Sequence, residues 1–233
     1  MIKAILFDIG NTLVITPPET PSPGGFFEKI TGIPKAQLNQ AFMTTYLENP
    51  DRAVEILQIS TGYKLKPAHV EQVYDYWESQ KEMAKIDPDI VRLIKRLSGK
   101  YKIGLVSNIW TPFWRGFKKH NYNLIPYIRT SILSFQVGMI KPATRLYELA
   151  AYMLEVNPQE CVMVGDDLTN DIVPSMSLGM TGVWYLSRPA AQRQDMVGMM
   201  ENRNIIPDTI ISNLLELEEI LNEYHTLTTI QSA

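Results

Sequence analysis

The sequence predicts an α/β protein: a Rossmann-like parallel sheet with an all-helical segment inserted into it. After residue 87, short apolar runs alternate with amphipathic helical patterns, which is typical of right-handed βαβ units. Three apolar runs end in polar residues, at Asp8, at Ser107-Asn108 and at Asp166-Asp167. Between Phe26 and about Lys85 the apolar spacing is helical and no strand pattern is present.

These patterns divide the chain into a core and an insertion. Residues 1–14 and 88–233 form the predicted α/β core, and residues 15–87 form a predicted helical cap. The stretch from Pro17 to Gly25 is dense in Pro and Gly, which predicts a linker or flap without regular structure. Asp51 is expected to cap a helix within the cap, and Asp87-Pro88 marks the second junction.

Composition excludes several classes of protein. The net charge is -3 and 20% of the residues are charged, so we expect no nucleic-acid partner. No apolar run approaches the roughly 18 residues that a membrane span needs, so we expect no membrane association. The lone cysteine, Cys161, lies in an apolar run, which predicts a buried thiol in a reducing compartment. We therefore expect a soluble, cytoplasmic protein.

The polar ends of the apolar runs are expected to meet. Parallel strands end at one edge of their sheet, and such folds place their sites there. Asp166, Asp167 and Asp171 would repel one another at this edge, and a bound metal ion is the simpler remedy. The alternative is a group of acids at a helix start, where the helix dipole favours negative charge.

Four segments, in order, resemble the four sequence motifs of the haloacid dehalogenase-like (HAD) hydrolases. They are Ile5-Leu-Phe-Asp8-Ile-Gly-Asn-Thr12, Gly104-Leu-Val-Ser107-Asn108, Lys141-Pro142 and Val162-Met-Val-Gly165-Asp166-Asp167-Leu-Thr-Asn170-Asp171. The resemblance covers residues 1–14 and 88–222. It implies a HAD fold and a phosphatase-like member with a helical cap, acting on a small phosphorylated metabolite. It leaves the substrate and the oligomeric state open.

The resemblance also implies a role for each motif residue. Asp8 would attack phosphorus and form an aspartyl-phosphate, while Lys141 would neutralise the phosphoryl oxygens and fix Asp8. Mg²⁺ is the implied cofactor, a hard cation that takes oxygen ligands. Its implied ligands are Asp8, the main-chain carbonyl of Gly10, Asp166 and Asp171. Asp171 would either bind the ion directly or contact the residues that do. Asp167 is an alternative to Asp166 or Asp171. The implied substrate-binding residues are Thr12, Ser107, Asn108 and Lys141.

Gly10 departs from the family pattern. Most phosphatases of this superfamily carry there a second Asp, which protonates the leaving group and then activates water. Three alternatives to a phosphatase therefore stay open: a non-catalytic or weakly active phosphate- and metal-binding protein, a haloacid dehalogenase, and a phosphonatase that uses a lysine of the cap. We expect Trp110, Phe113 and Trp114 either to line a substrate pocket or to pack in the core or against the cap. Residues 187–204 are interpreted only as a mobile or partner-contacting surface loop.

Overall fold

The computed structural model describes residues 1–201 and 206–231, with the side chains of 199–201 and 225–231 excepted. Within them, six strands form one sheet in the order β3-β2-β1-β4-β5-β6, and every neighbouring pair is parallel. This confirms the predicted parallel α/β fold. The strands are β1 (Ala4–Phe7), β2 (Lys102–Ser107), β3 (Ile128–Leu133), β4 (Cys161–Gly165), β5 (Thr181–Tyr185) and β6 (Thr209–Ile211).

Eleven α-helices surround or extend this sheet in the described part of the chain. They are α1 (Pro23–Thr31), α2 (Lys35–Met43), α3 (Pro50–Thr61), α4 (Pro67–Met83), α5 (Pro88–Leu97), α6 (Thr111–His120), α7 (Ser134–Val137), α8 (Arg145–Met153), α9 (Val173–Met176), α10 (Arg193–Glu201) and α11 (Leu217–Gln231). A π-helical turn at Leu168–Ile172 leads into α9. None of the described helices has both the length and the apolar character that a membrane crossing requires.

The central strand β1 is buried on both faces. Ile5 and Phe7 join the larger apolar cluster, which also includes residues of α5, α11 and the helices α1 to α4. Ala4 and Leu6 join a second cluster with residues of α8. This alternation follows from the two-residue repeat of a strand covered by helices on both sides. Cys161 lies in the second cluster and is fully buried, as predicted.

The strand order places a topological switch point at β1. From β1 the chain proceeds through β2 to β3 on one side, and the later strands β4, β5 and β6 extend the other side. Connections that diverge in this way leave a crevice at the carboxyl ends of the central strands. The last residues of β1, β2 and β4 therefore open onto one edge of the sheet.

Residues 23–83, all of which the structure describes, contain four α-helices and no strand. The prediction that Pro17 to Gly25 lacks regular structure is wrong at its end, because α1 begins at Pro23. Pro is favoured in a first helical turn, and the Ser22 hydroxyl accepts a hydrogen bond from the Gly25 amide at 3.2 Å. The prediction that Asp51 caps a helix is also wrong, because Asn49 caps α3 and Asp51 lies in its first turn.

Candidate active site

Asp8 follows β1 directly and its side chain is buried. Its main-chain amide donates to the Val164 carbonyl of β4 at 3.0 Å, so the sheet's hydrogen bonding extends to this residue and fixes its position. The chain then turns tightly, with the amides of Leu13 and Val14 both donating to the Ile9 carbonyl. Asn11 takes a left-handed conformation in this turn, with φ 57°, which Asn tolerates better than most residues.

Lys141 links two of the predicted site acids. Its Nζ lies 2.6 Å from Asp8 Oδ1 and 2.5 Å from Asp171 Oδ1, and it donates to the Val106 carbonyl at 3.3 Å. Burial works against the lysine's charge, but the negative charges of Asp171 and Asp8 outweigh it and hold the pKa of Lys141 well above its ordinary value. The lysine is therefore a fixed positive charge beside Asp8.

Asn108 holds Lys141 in place through the main chain. Its side-chain Oδ1 accepts from the Lys141 amide at 2.8 Å, and its Nδ2 donates to the Lys141 carbonyl at 3.3 Å. The preceding residue, Ser107, ends β2 and is buried. The second and third predicted motifs are thus joined by two hydrogen bonds between residues that lie 33 positions apart in the chain.

The three acids of the fourth predicted motif do not all lie together. Asp166 and Asp171 form a cluster with Asp8, in which carboxylate oxygens lie within 4.8 Å of one another. Asp167 does not join them: its Oδ1 accepts from the amides of Thr169 and Asn170 at 3.0 and 2.9 Å, which caps the π-helical turn. Adjacent residues therefore act differently, one in the acid cluster and one as a local cap.

Asp166 pairs with a residue that sequence analysis missed. Its Oδ2 lies 3.1 Å from Nη2 of Arg188. Burial, with a further contribution from the negative charge of Asp8, raises the pKa of Asp166 to about 7, and Arg188 only partly offsets this. Among the described residues, the three acids of the cluster thus outnumber the two cationic side chains that contact them, Lys141 and Arg188.

Gln192 organises the loop that carries Arg188. Its amide group donates to the carbonyls of Asp166 at 2.6 Å and Tyr185 at 2.9 Å, and its Oε1 accepts from the Arg188 amide at 2.9 Å. The Trp184 indole also donates to the Asp166 carbonyl, at 2.9 Å. Part of the segment 187–204 is therefore at the site, although we predicted only a surface loop; residues 202–204 of that segment lie outside the described residues.

A cleft of about 320 Å³ opens beside these groups. The core contributes Gly10, Asn11, Ser107, Asn108, Ile109, Trp110, Phe113 and Arg188, and the helical segment contributes Thr16, Thr20, Pro21, Ser22, Pro23, Met43, Gln80 and Met83. Trp110 and Phe113 therefore line this cleft as well as the core, whereas Trp114 lines a different surface depression. Thr12 does not line this cleft. It lines a separate cleft, together with Lys85 and Asn213.

The model of the haloacid dehalogenase-like hydrolase family matches residues 2–173. The chain belongs to this family. The matched range includes all four motifs, and a second model, of HAD-hydrolase-like proteins, matches residues 139–217. The family resemblance drawn from the motifs is confirmed, and with it a hydrolase.

Among curated proteins, this HAD-like hydrolase is similar to a glyceraldehyde 3-phosphate phosphatase of Methanothermobacter thermautotrophicus. The two are 25% identical over 239 residues, covering 95% of this chain and 100% of the relative. Among solved structures, it resembles a HAD family enzyme of Bacteroides thetaiotaomicron in complex with magnesium and inorganic phosphate, with a TM-score of 0.61, 18% identity, and 81% of this chain and 96% of that chain covered.

A 2-haloacid dehalogenase of Pseudomonas syringae pv. Tomato DC3000 is another structural neighbour, with a TM-score of 0.63 and 19% identity over 96% of this chain and 100% of that chain. At such identities the two structures establish the HAD fold. The choice between reactions therefore depends on the site of this HAD-like hydrolase itself.

The acid cluster of this HAD-like hydrolase fits a hard divalent cation. Asp8, Asp166 and Asp171 offer carboxylate oxygens close enough together to bind one ion, and Mg²⁺ and Ca²⁺ prefer oxygen ligands. All three acids are buried, and burial, with a further contribution from the negative charge of Asp8, raises the pKa of Asp166, so the negative charge of this carboxylate is disfavoured without a further cation. A cation at this position would offset that charge.

Proposed function

We propose that this protein is a Mg²⁺-dependent phosphatase that acts on a small phosphorylated metabolite through an aspartyl-phosphate. The observation that carries the proposal is the buried Lys141, which contacts both Asp8 and Asp171 and is hydrogen-bonded to Asn108, a residue that lines the cleft. The phosphatase relative, which aligns over nearly the whole chain, supports the same reaction.

Asp8 is the proposed nucleophile. A carboxylate must approach a phosphoryl group that is itself negatively charged, and a positive charge at the point of attack reduces this repulsion. Lys141 provides that charge at 2.6 Å from Asp8 and also fixes the orientation of the attacking oxygen. In the proposed first step the Asp8 oxygen bonds to phosphorus and the bond to the leaving oxygen breaks. Water then releases inorganic phosphate and restores Asp8.

The proposed cofactor is Mg²⁺, held by Asp8, Asp166, Asp171 and the Gly10 carbonyl. When bound, it would supply Lewis acidity and positive charge at the phosphoryl oxygens. Ser107 and Asn108 line the cleft beside Gly10 and are the proposed contacts for the phosphoryl group. Thr12, which lines another cleft, is proposed only to support the turn that follows Asp8.

The helices α1 to α4 are proposed to act as a cap, with residues 15–87 as the inserted domain. The inserted segment supports this, because eight of its residues line the cleft: Thr16, Thr20, Pro21, Ser22, Pro23, Met43, Gln80 and Met83. The proposed cap contacts the core through α4 and α6, where the Gln80 side chain accepts a hydrogen bond from the Trp110 indole at 3.1 Å. Closing a cap over such a cleft excludes water and positions the substrate.

The alternative hydrolases receive less support from the site. A phosphonatase would use a cap lysine, and none of the described residues that line the cleft is lysine. A metal-free dehalogenase would have no use for three buried acids in one cluster. Gly10, by contrast, specifically favours a second candidate, a weakly active protein that binds phosphate and metal, because it cannot act as acid or base.

A panel of small phosphate esters, assayed for phosphate release with Mg²⁺ and with excess chelator, tests the proposal. We expect release that requires the cation. Release that is equally fast in chelator would contradict the metal assignment. Binding of Mg²⁺ and phosphate without turnover of any ester would favour the second candidate, and halide release from 2-haloacids would favour a dehalogenase.

A further inference from the structure

The cleft is nearly free of charged side chains. Its sixteen lining residues within the described chain are apolar or neutral and polar, except for Arg188. A cleft with otherwise neutral walls and one cation selects ligands by charge, because a second anionic group, distant from the proposed phosphoryl site, has one favourable place to bind. Arg188 is therefore the position at which a substrate's own charge would be recognised.

The guanidinium of Arg188 has donors to spare. It carries five N–H groups, and the described contact to an acid involves one nitrogen, Nη2, at 3.1 Å from Asp166. Its Nε is buried and has no hydrogen-bond partner among the described residues. A buried donor without a partner costs free energy that a bound anion would recover.

Arg188 is also held in position. The Gln192 side chain, itself almost fully buried, bonds to the Arg188 amide and to the carbonyls of Asp166 and Tyr185. This fixes the backbone at Arg188 relative to the acid cluster. A cation bound by Asp166 would compete with Arg188 for the same carboxylate, which would leave more of the guanidinium free for a ligand.

We propose that Arg188 determines specificity by binding a carboxylate on the substrate, a few bonds away from the phosphoryl group. The inference rests on the proposed function, since it takes the other end of the ligand to be the phosphoryl group. A carboxylate fits best, because one guanidinium matches a single planar negative charge with two parallel hydrogen bonds. A second phosphate would bring about two negative charges to the same lone cation.

Calorimetry with non-hydrolysable phosphonates tests this in the presence of Mg²⁺, without any need for turnover. The probes are phosphonoacetate and 3-phosphonopropionate, which carry a carboxylate, ethyl- and propylphosphonate, which do not, and propane-1,3-bisphosphonate. We expect the wild type to bind at least one carboxylate probe roughly 10- to 100-fold more tightly than its alkyl counterpart, the range of a hydrogen bond to a charged group. Arg188→Gln should remove this preference, weakening the carboxylate probes by clearly more than the alkylphosphonates.

Two further variants separate recognition from structure. Arg188→Lys should restore part of the preference, because it keeps the charge without the paired donors. Arg193→Gln, at an exposed residue five positions along the chain, should keep the wild-type preference in full. Mg²⁺ affinity of Arg188→Gln, measured without phosphonate, should be equal to the wild type or higher, because Asp166 loses a competing cation.

Several results would overturn the inference. They are equal binding of carboxylate and alkyl probes by the wild type, tighter binding of the bisphosphonate than of either carboxylate probe, or an equal loss of all probes in Arg188→Gln. Weaker Mg²⁺ binding by Arg188→Gln would likewise mean that Arg188 only positions the acids. A carboxylate preference without hydrolysis of any phosphate ester would leave this inference standing and remove the proposed activity.

Discussion

Asp166 and Asp167 are neighbours in the sequence, but their carboxylates have different partners. Asp166 lies in the cluster with Asp8 and Asp171, whereas Asp167 accepts hydrogen bonds from two amides and from the Asn170 side chain at 2.7 Å. The strand β4 ends at Gly165, directly before these two acids. Asp166 therefore lies in the cluster at the edge of the sheet, and Asp167 caps the turn that follows.

We therefore predict different effects for substitutions of these two acids, one on Mg²⁺ affinity and the other on stability. Asp166→Ala should weaken Mg²⁺ binding by at least 10-fold, because even supporting partners of metal ligands typically contribute 10- to 100-fold. Asp167→Ala should leave Mg²⁺ binding unchanged and lower the free energy of unfolding by about 1 kcal/mol, the usual cost of a lost cap. Calorimetric Mg²⁺ titration and thermal unfolding measure the two effects. An equal loss of Mg²⁺ affinity in Asp167→Ala would contradict this division.

Asp8 is predicted to be essential for turnover. Asp8→Asn keeps the size of the side chain but removes the nucleophilic charge, so phosphate release should fall below detection. The fold should persist, because β1 is held by its neighbours β2 and β4. Circular dichroism and thermal unfolding check the fold, and Asp75→Asn on the exposed surface of α4 is the matched control. Wild-type rates in Asp8→Asn would refute the nucleophile assignment.

The pKa of Asp166 predicts a pH dependence for the metal-free protein. This carboxyl has a pKa of about 7 when folded and an ordinary value of 3.8. Between these values the folded protein retains a proton that the unfolded chain releases, so stability falls as pH rises. The stabilising contribution of the protonated Asp166 is fully present below about pH 4 and lost above about pH 7. The melting temperature without metal should therefore fall between about pH 5 and pH 8, partly through this group.

Two comparisons assign that fall to Asp166. Asp166→Asn should flatten the dependence of melting temperature on pH, whereas the control Asp75→Asn should leave its slope unchanged. Saturating Mg²⁺ should stabilise the wild type more at about pH 8 than at about pH 5, because a metal binds the deprotonated carboxylate. An unchanged slope in Asp166→Asn would show that other groups cause the pH dependence.

The sheet and the motif residues could be predicted because they depend on local pattern. An apolar run that ends at Asp8, or at Ser107, has one reasonable place in a parallel sheet, and the strand order then brings such ends together. The helix at Pro23 could not be predicted from breaker density, since its first turn depends on the Ser22 cap and on Asn39, whose side chain accepts from the Gly24 amide at 2.9 Å.

Arg188 and Gln192 were missed for a different reason. They belong to no motif, and their segment has neither strand nor helix periodicity up to residue 192. Their place at the site depends on one tertiary relationship, the contact of the Gln192 amide with the carbonyls of Asp166 and Tyr185. A usable signal would have been the position of the segment directly after β5, because loops at that end of a parallel sheet surround its sites.

The last prediction concerns Gly10. Without an acid at this position, a poor leaving group departs unprotonated, and general acid catalysis contributes roughly 10² to 10⁴ in rate. None of the described residues lining the cleft carries a carboxyl, imidazole or thiol group, so the cleft walls offer no replacement. We expect the wild type to hydrolyse p-nitrophenyl phosphate, whose leaving group needs no proton, much faster than the alkyl ester glycerol 3-phosphate.

Gly10→Asp tests this directly. A Cβ at Gly10 would meet no atom within 4 Å, and the residue is not in the left-handed region, so a side chain should be accommodated. The variant should raise the rate on glycerol 3-phosphate by about 10²-fold or more and change the rate on p-nitrophenyl phosphate far less. Gly198→Asp, which adds the same charge at another open glycine, should change neither. Fast wild-type turnover of the alkyl ester, with no gain in Gly10→Asp, would mean that another group or a bound water already serves as the acid.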